Sequence, residues 1–268
     1  MSRLMLTRYL RLLPMLLLWV APATLARELR MQVATLRTPV ATLERVRLQL
    51  HWDDHAQQGQ LQLWAGKVDA AGLGYHYRNV HWQCPLQRRP NAGWQCAGAL
   101  RSGTLPPLQL AVQWDDAATR AQLRQGQAQL ALARVAATPD VTTLMLHKLP
   151  VVWAQALMAQ AWPVARLKAG VVDGQLQVQT PTALPLRMLG KLQVTGMGLD
   201  TRDASIAGEQ LTGRLQLDYR STSTLTDVQL DGQLQGGEFL AGNTYVALPT
   251  TPVTVHVAAH KTGSAGWQ

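Results

Sequence analysis

Gln175-Leu176-Gln177-Val178-Gln179, Lys191-Leu192-Gln193-Val194-Thr195 and Arg214-Leu215-Gln216-Leu217-Asp218 share one grammar: an aliphatic residue at every second position and a polar one between. Period two is the signature of a half-buried strand, because successive side chains leave a strand on opposite faces. The pattern runs in both directions from this core. Upstream it recurs in Leu48-Gln49-Leu50-His51-Trp52-Asp53, Gln60-Leu61-Gln62-Leu63, Gln109-Leu110-Ala111-Val112-Gln113-Trp114 and Gln129-Leu130-Ala131-Leu132, and downstream in Val253-Thr254-Val255-His256-Val257. Turn pairs are read at Asp53-Asp54, Asp173-Gly174, Asp231-Gly232 and Gly236-Gly237, too closely spaced for βαβ crossovers. The expected fold is mainly β: an antiparallel, twisted and curved sheet, groove-like or a sandwich, with one short amphipathic helix.

That helix is expected over Pro150–Trp162, an Ala-rich stretch with Pro at the first turn and Trp153, Leu157, Met158, Ala161 and Trp162 at helical spacing. Pro163 ends it. Its polar face lacks the Lys and Arg of an interfacial membrane helix. The organisation read from the chain is a signal over residues 1–26, a first β region over 27–148, the helix over 149–165 and a second β region over 166–268. At Gly263-Ser264-Ala265-Gly266-Trp267-Gln268 the grammar is opening another hairpin, so the last region reads as incomplete. An internal echo links Leu50-His51-Trp52-Asp53-Asp54 with Val112-Gln113-Trp114-Asp115-Asp116, two strand ends followed by an Asp turn.

The N-terminus carries Arg3, Arg8 and Arg11, an apolar run centred on Leu12–Val20, and small-residue sites at Ala21-Pro22-Ala23 and Thr24-Leu25-Ala26. This is the order of a cleavable secretory signal, and the run is shorter than the roughly 20 apolar residues of a membrane-spanning helix. A periplasmic address is expected. Of the net charge of +9, three come from the signal, so the mature chain carries 9 − 3 = +6. Such a charge suits phospholipid or lipopolysaccharide headgroups, whereas the absence of a Lys/Arg-rich run argues against nucleic acid.

The only two cysteines sit in matching contexts, Trp82-Gln83-Cys84 and Trp94-Gln95-Cys96, on either side of Pro90-Asn91-Ala92-Gly93. Two strands joined by that turn bring the thiols together, and in an oxidising compartment the expectation is a structural disulfide between Cys84 and Cys96. No Cys-x-x-Cys motif or zinc-ligand spacing is present. Catalytic motifs are equally missing: there is no nucleophile elbow, His-Glu-x-x-His, Walker loop or dinucleotide fingerprint. His51-Trp52-Asp53-Asp54-His55 is the densest ligand group, but its echo retains only the Asp pair. His76 and Ser205 stand without recognisable catalytic partners. The chain reads as non-enzymatic, with no cofactor and no metal.

Of nine Trp, four (Trp52, Trp82, Trp94 and Trp114) fall in phase with the aliphatic residues of their strands, which places them in the interior of a sheet; a sugar-stacking surface is the competing reading.

From Leu149 to about Val257 the chain resembles the AsmA-like and YdbH-like bacterial envelope proteins, on the strength of a Trp-bearing helix leading into Leu167-Lys168-Ala169-Gly170-Val171-Val172-Asp173-Gly174-Gln175-Leu176 and of Gly236-Gly237-Glu238-Phe239-Leu240-Ala241-Gly242-Asn243. The resemblance implies a curved sheet whose apolar concave face shields acyl chains during intermembrane lipid transport. Leu176, Val178, Leu192, Val194, Leu215 and Leu217 would belong to that face. Two departures from the family are expected: no retained membrane anchor, and a mature length of 268 − 26 = 242 residues. Phospholipid or lipopolysaccharide and other envelope proteins are the expected partners. The alternative is a closed β-sandwich that serves a secretion system or an envelope polysaccharide as a binding or assembly module. A hydrolase with an unrecognised site is the third reading.

Overall fold

The computed structural model describes residues 27–38, 41–52, 57–90, 93–181, 185–222 and 224–263. The signal segment, Asp53, Asp54 and His55 lie outside the described residues. Sixteen strands follow in chain order. The first nine are β1 (Arg27–Arg37), β2 (Thr42–Trp52), β3 (Gln58–Ala70), β4 (Tyr75–Arg88), β5 (Trp94–Ser102), β6 (Leu108–Trp114), β7 (Ala118–Gln125), β8 (Ala128–Val135) and β9 (Val141–Pro150). After the helical segment come β10 (Ala165–Gln179), β11 (Leu186–Thr201), β12 (Ile206–Ser221), β13 (Leu225–Gln235), β14 (Glu238–Ala241), β15 (Thr244–Ala247) and β16 (Val253–Thr262).

They form one antiparallel meander that runs in chain order from β1 to β13 and then to β16, while the small hairpin β14–β15 hangs from β12. β1 and β16 do not pair with each other, so the sheet is open. A sandwich needs a second sheet; the described strands make only one, and the closed alternative is set aside. The β regions on either side of the helix are joined directly, since β9 pairs with β10 from Val141↔Gln179 to Val171↔Pro150.

Two expected turns are corrected. Asp173-Gly174 lies inside β10 and Asp231-Gly232 inside β13. The glycines there make room for a neighbouring leucine: a Cβ on Gly232 would stand 2.6 Å from Leu215 Cδ2. Their aspartates are strand residues with cross-strand partners, His147 for Asp173 and His256 for Asp231. Gly236-Gly237 does form a turn, between β13 and β14. The Asp115 turn stands as well, its carboxylate accepting from the backbone N–H of Ala117 and of Ala118.

The helical segment begins as a 3-10 turn over Val151–Ala154 and continues as α1 (Gln155–Ala161). Val151 is buried, and Ala154, Met158 and Trp162 pack against the same cluster. Leu157, expected on this face, is 44% exposed, because the packed positions follow a spacing of four from Ala154 and leave Leu157 to the side. Gln155 bonds the helix to the sheet: its amide nitrogen donates to Ala165 O (2.9 Å) and its amide oxygen accepts from Leu167 N (2.6 Å). One side chain thus supplies the hydrogen bonds that a neighbouring strand would otherwise give to the start of β10.

Candidate functional site: an apolar face open along the sheet

Cross-strand partners share a face, so the register shows how far the apolar side extends. Met31, Leu48, Leu63, Trp82, Leu100 and Leu108 form one row across β1 to β6. Leu110, Leu123, Leu130 and Leu146 carry it across β6 to β9. Leu144 then pairs with Leu176, Leu192 with Leu215, and Leu217 with Leu230, which pairs with Val257. The other face is a ladder of amides and charges, such as Gln49–Gln62–Gln83 and Gln175–Lys191–Gln216–Asp231–His256. At the usual ~4.8 Å between strands, the apolar face is about 60 Å long from β1 to β16.

The six residues assigned to this face from the sequence stand together on it. Val178 pairs with Met188, Val172 with Val194, and Leu176 and Leu217 flank Gly190 from either side. Val194 is buried, whereas Leu176, Val178, Leu192, Leu215 and Leu217 are only half-buried, sheltered by one another and not by a second layer. Fourteen apolar residues reach full burial among those described, and most of them lie in two clusters at opposite ends of the strands.

One cluster surrounds the disulfide. Cys84 and Cys96 are bonded, wholly buried, and overlaid by Trp52, Trp82, Trp94 and Trp114. The thiols are diagonal neighbours: Cys96 faces Leu86, and Cys84 stands beside Gly98, where a Cβ would come within 2.9 Å of Cys84 Cβ. Trp52 and Trp94, on strands three apart, meet edge to face at 4.9 Å, and Trp82 Nε1 donates to Leu110 O across β5 (3.3 Å). All four indoles stand on the apolar side and pack on the disulfide, Trp82 buried and Trp52, Trp94 and Trp114 half-buried.

At the opposite end two creases fold the strands inward. In β2 to β4 the crease is Arg45, Gly66 and Asn79, with left-handed φ of 52° at both Arg45 and Asn79. Apolar residues on its two sides are three apart (Leu43 and Val46, Val68 and Ala65, Tyr77 and Val80), a spacing that would put them on opposite faces of an uninterrupted strand. In β10 to β12 the crease is Gly170, Gly196 and Gln210, with φ of 102°, 64° and 53° and shifts of register beside it. Leu167 and Val172, or Leu199 and Val194, are an odd number of residues apart, yet all four meet in one cluster with the helix. Bulges, marked by the shifts of register, turn the phase in β10 to β12, whereas in β2 to β4 the register is unbroken and the turn falls at the left-handed Arg45 and Asn79.

The helical segment spans the gap between the two folded flaps. Its far side reaches β4, where Tyr75 Oη donates to the Trp153 carbonyl at 2.6 Å, and Tyr75 stacks parallel to Tyr77 at 6.3 Å. Burial raises both phenol pKa values above 10. The apolar face is therefore closed at the helix end and flanked by the indole cluster at the other, with the span between uncovered by any described element.

Other sequence candidates are dispersed. His76 pairs with Asp69 (2.9 Å) on the polar side, and Ser205 donates to Asp203, whose pKa is held down to about 2 by hydroxyl hydrogen bonds from Thr201 and Ser205. Among the described residues no three His, Cys, Asp or Glu converge as a metal site. Tyr75 and the creases were missed by the strand pattern, although the phase slip from Leu43 to Val46 was a readable sign. No helix of the described chain is long and apolar enough to cross a membrane. No protein-family model matches the chain, and neither a curated protein nor a solved structure shows significant similarity to it.

Proposed function

We propose that this chain is a non-enzymatic periplasmic protein that shields or carries lipid acyl chains in support of the outer membrane. The observation that carries the reading is the apolar face from Met31 to Val257, exposed at these two ends, mostly half-buried between them and without a covering layer among the described elements. A soluble monomer seldom leaves a contiguous apolar patch beyond a few hundred Å² in water, so a face of this extent calls for a ligand of its own polarity. Acyl chains meet that need without demanding a polar partner, and the Gln/Arg/Lys ladder on the reverse keeps the protein in solution. The resemblance to AsmA-like and YdbH-like proteins supports the same use, as do the basic balance and the signal-like N-terminus.

Native mass spectrometry of the mature protein, incubated with phosphatidylglycerol/phosphatidylethanolamine vesicles, tests it. One or more bound phospholipids are expected, and Leu192→Gln combined with Leu217→Gln should reduce the bound fraction severalfold while the far-ultraviolet spectrum stays that of a sheet. A spectrum free of lipid after incubation would overturn the reading.

A further inference from the structure

The polar face carries a hollow of about 490 Å³ at the first crease, lined by Arg45, Arg47, Gln49, Gln62, Trp64 and Asn79 around Gly66. We propose that it binds an acidic saccharide unit, one bearing a carboxylate or a phosphate.

Trp64 is the exception among the strand tryptophans. It lies between inward Leu63 and Ala65 and so leaves β3 on the polar side. One side of its indole rests on His81, ring to ring at 5.0 Å and 7° apart, and His81 is not part of the lining. The His81 Nε2 is buried without a hydrogen-bond partner among the described residues, and the ring lies stacked on the indole. The indole is thereby fixed as a wall, with a single face toward the hollow. One aromatic face suits the C–H side of one pyranose ring.

The charge is one-sided. No carboxylate lines the hollow, and Arg45 and Arg47 are exposed with no ion-pair partner among the described residues; Glu44 and Asp69 are both engaged by Lys67. Two guanidinium groups present planar donors matched to a carboxylate or phosphate. Gln49, Gln62 and Asn79 each offer both donor and acceptor, as sugar hydroxyls require.

The backbone adds an independent argument. Glycine adopts a left-handed φ readily at such a crease, whereas a residue bearing a side chain is strained at the φ of 52° found at position 45. Arg occupies it, and its guanidinium lies across Gly66, where a Cβ would come within 2.5 Å of Arg45 Nε. Gly66 leaves the space, and Arg45 fills it with charge. Strain retained for the sake of a side chain is characteristic of binding sites.

The hollow and the acyl-chain face lie on opposite sides of the sheet, so either can fail without the other. The test follows the Trp64 indole N–H resonance, assigned through Trp64→Phe, during titration with a glucuronate–N-acetylglucosamine disaccharide, with neutral chitobiose, inorganic phosphate and adenosine monophosphate as comparators. The acidic disaccharide should shift that resonance saturably, and chitobiose should bind about tenfold more weakly or worse. Arg47→Gln, and Arg45→Asn, which tolerates the left-handed backbone, should each weaken binding about tenfold with the remaining resonances unmoved. No shift at on the order of 10 mM disaccharide would overturn the proposal. Equal affinity for chitobiose, phosphate or the nucleotide would overturn it too, as would undiminished binding by the two Arg variants.

Discussion

Replacing both Cys84 and Cys96 with alanine is expected to loosen one end of the molecule and leave the other intact. The bridge closes a loop of sequence separation 12, and restricting a loop of that size in the unfolded chain contributes about 3 kcal/mol. Alanine avoids leaving buried hydroxyls under the four indoles, so the packing loss adds only about 1 kcal/mol. The disulfide cluster draws on β2 to β6, the helix cluster on β10 to β12, and β7 and β8 between them contribute just Ala118 and Ala128 to the buried set. A sheet whose elements touch only their neighbours transmits destabilisation poorly along its length. Amide hydrogen exchange should show this directly: at about 1.4 kcal/mol per factor of ten, protection in β3 to β6 falls about a thousandfold in the double variant, with that of β10 to β12 unchanged. The reasoning is refuted if exchange in β3 to β6 rises less than threefold, or if both clusters lose protection equally, which would mean one cooperative unit.

Three further expectations are local. Tyr75→Phe removes the hydrogen bond that moors the helical segment to β4, which should cost about 1 kcal/mol and speed proteolysis within Val151–Ala161; an unchanged cleavage rate would show that the contact is incidental. Gly190→Val would place a Cβ 2.2 Å from Leu176 Cδ2 and 2.6 Å from the Gln175 carbonyl, so a loss of about 1–3 kcal/mol or more is expected, read as a lower urea midpoint. Asp218, held by Arg187 at 2.8 Å and by Arg220 at 2.9 Å, has its pKa depressed from 3.8 to about 2. A depressed carboxylate stabilises the fold above pH 3.8 and ceases to do so as pH falls toward 2. Asp218→Asn should therefore lower the melting temperature at pH 6 and make no difference near pH 2.

The strands were legible because alternation is a direct image of the pleat: the alternating segments quoted from the sequence fall inside strands, save Asp53, which lies outside the described residues. The disulfide was legible from its matching Trp-x-Cys contexts, though not its diagonal geometry, which depends on Gly98 lying beside Cys84. Asp-Gly was misread twice, because the dipeptide serves a turn and a leucine-accommodating strand equally well and only the neighbouring strand decides. The open sheet could not be separated from a sandwich, since both use the same one-sided strands. Trp64 was overlooked although its phase, opposite to Leu61 and Leu63, distinguishes it from Trp52, Trp82, Trp94 and Trp114. The creases needed three strands in register to be seen as more than isolated irregularities.

Those creases also determine which parts of the chain are interchangeable. Each is a row shared by adjacent strands, so a one-residue deletion in β3 alone would set its apolar residues against the polar residues of β2 and β4. β7 and β8 carry no left-handed residue within their spans and contact little beyond the strands beside them. Removing a hairpin there would shorten the face by two strand widths and preserve every remaining phase, while drawing Tyr75 out of register with Trp153. The middle of the sheet thus behaves as a variable-length insert between two ends, each of which can change only as a block.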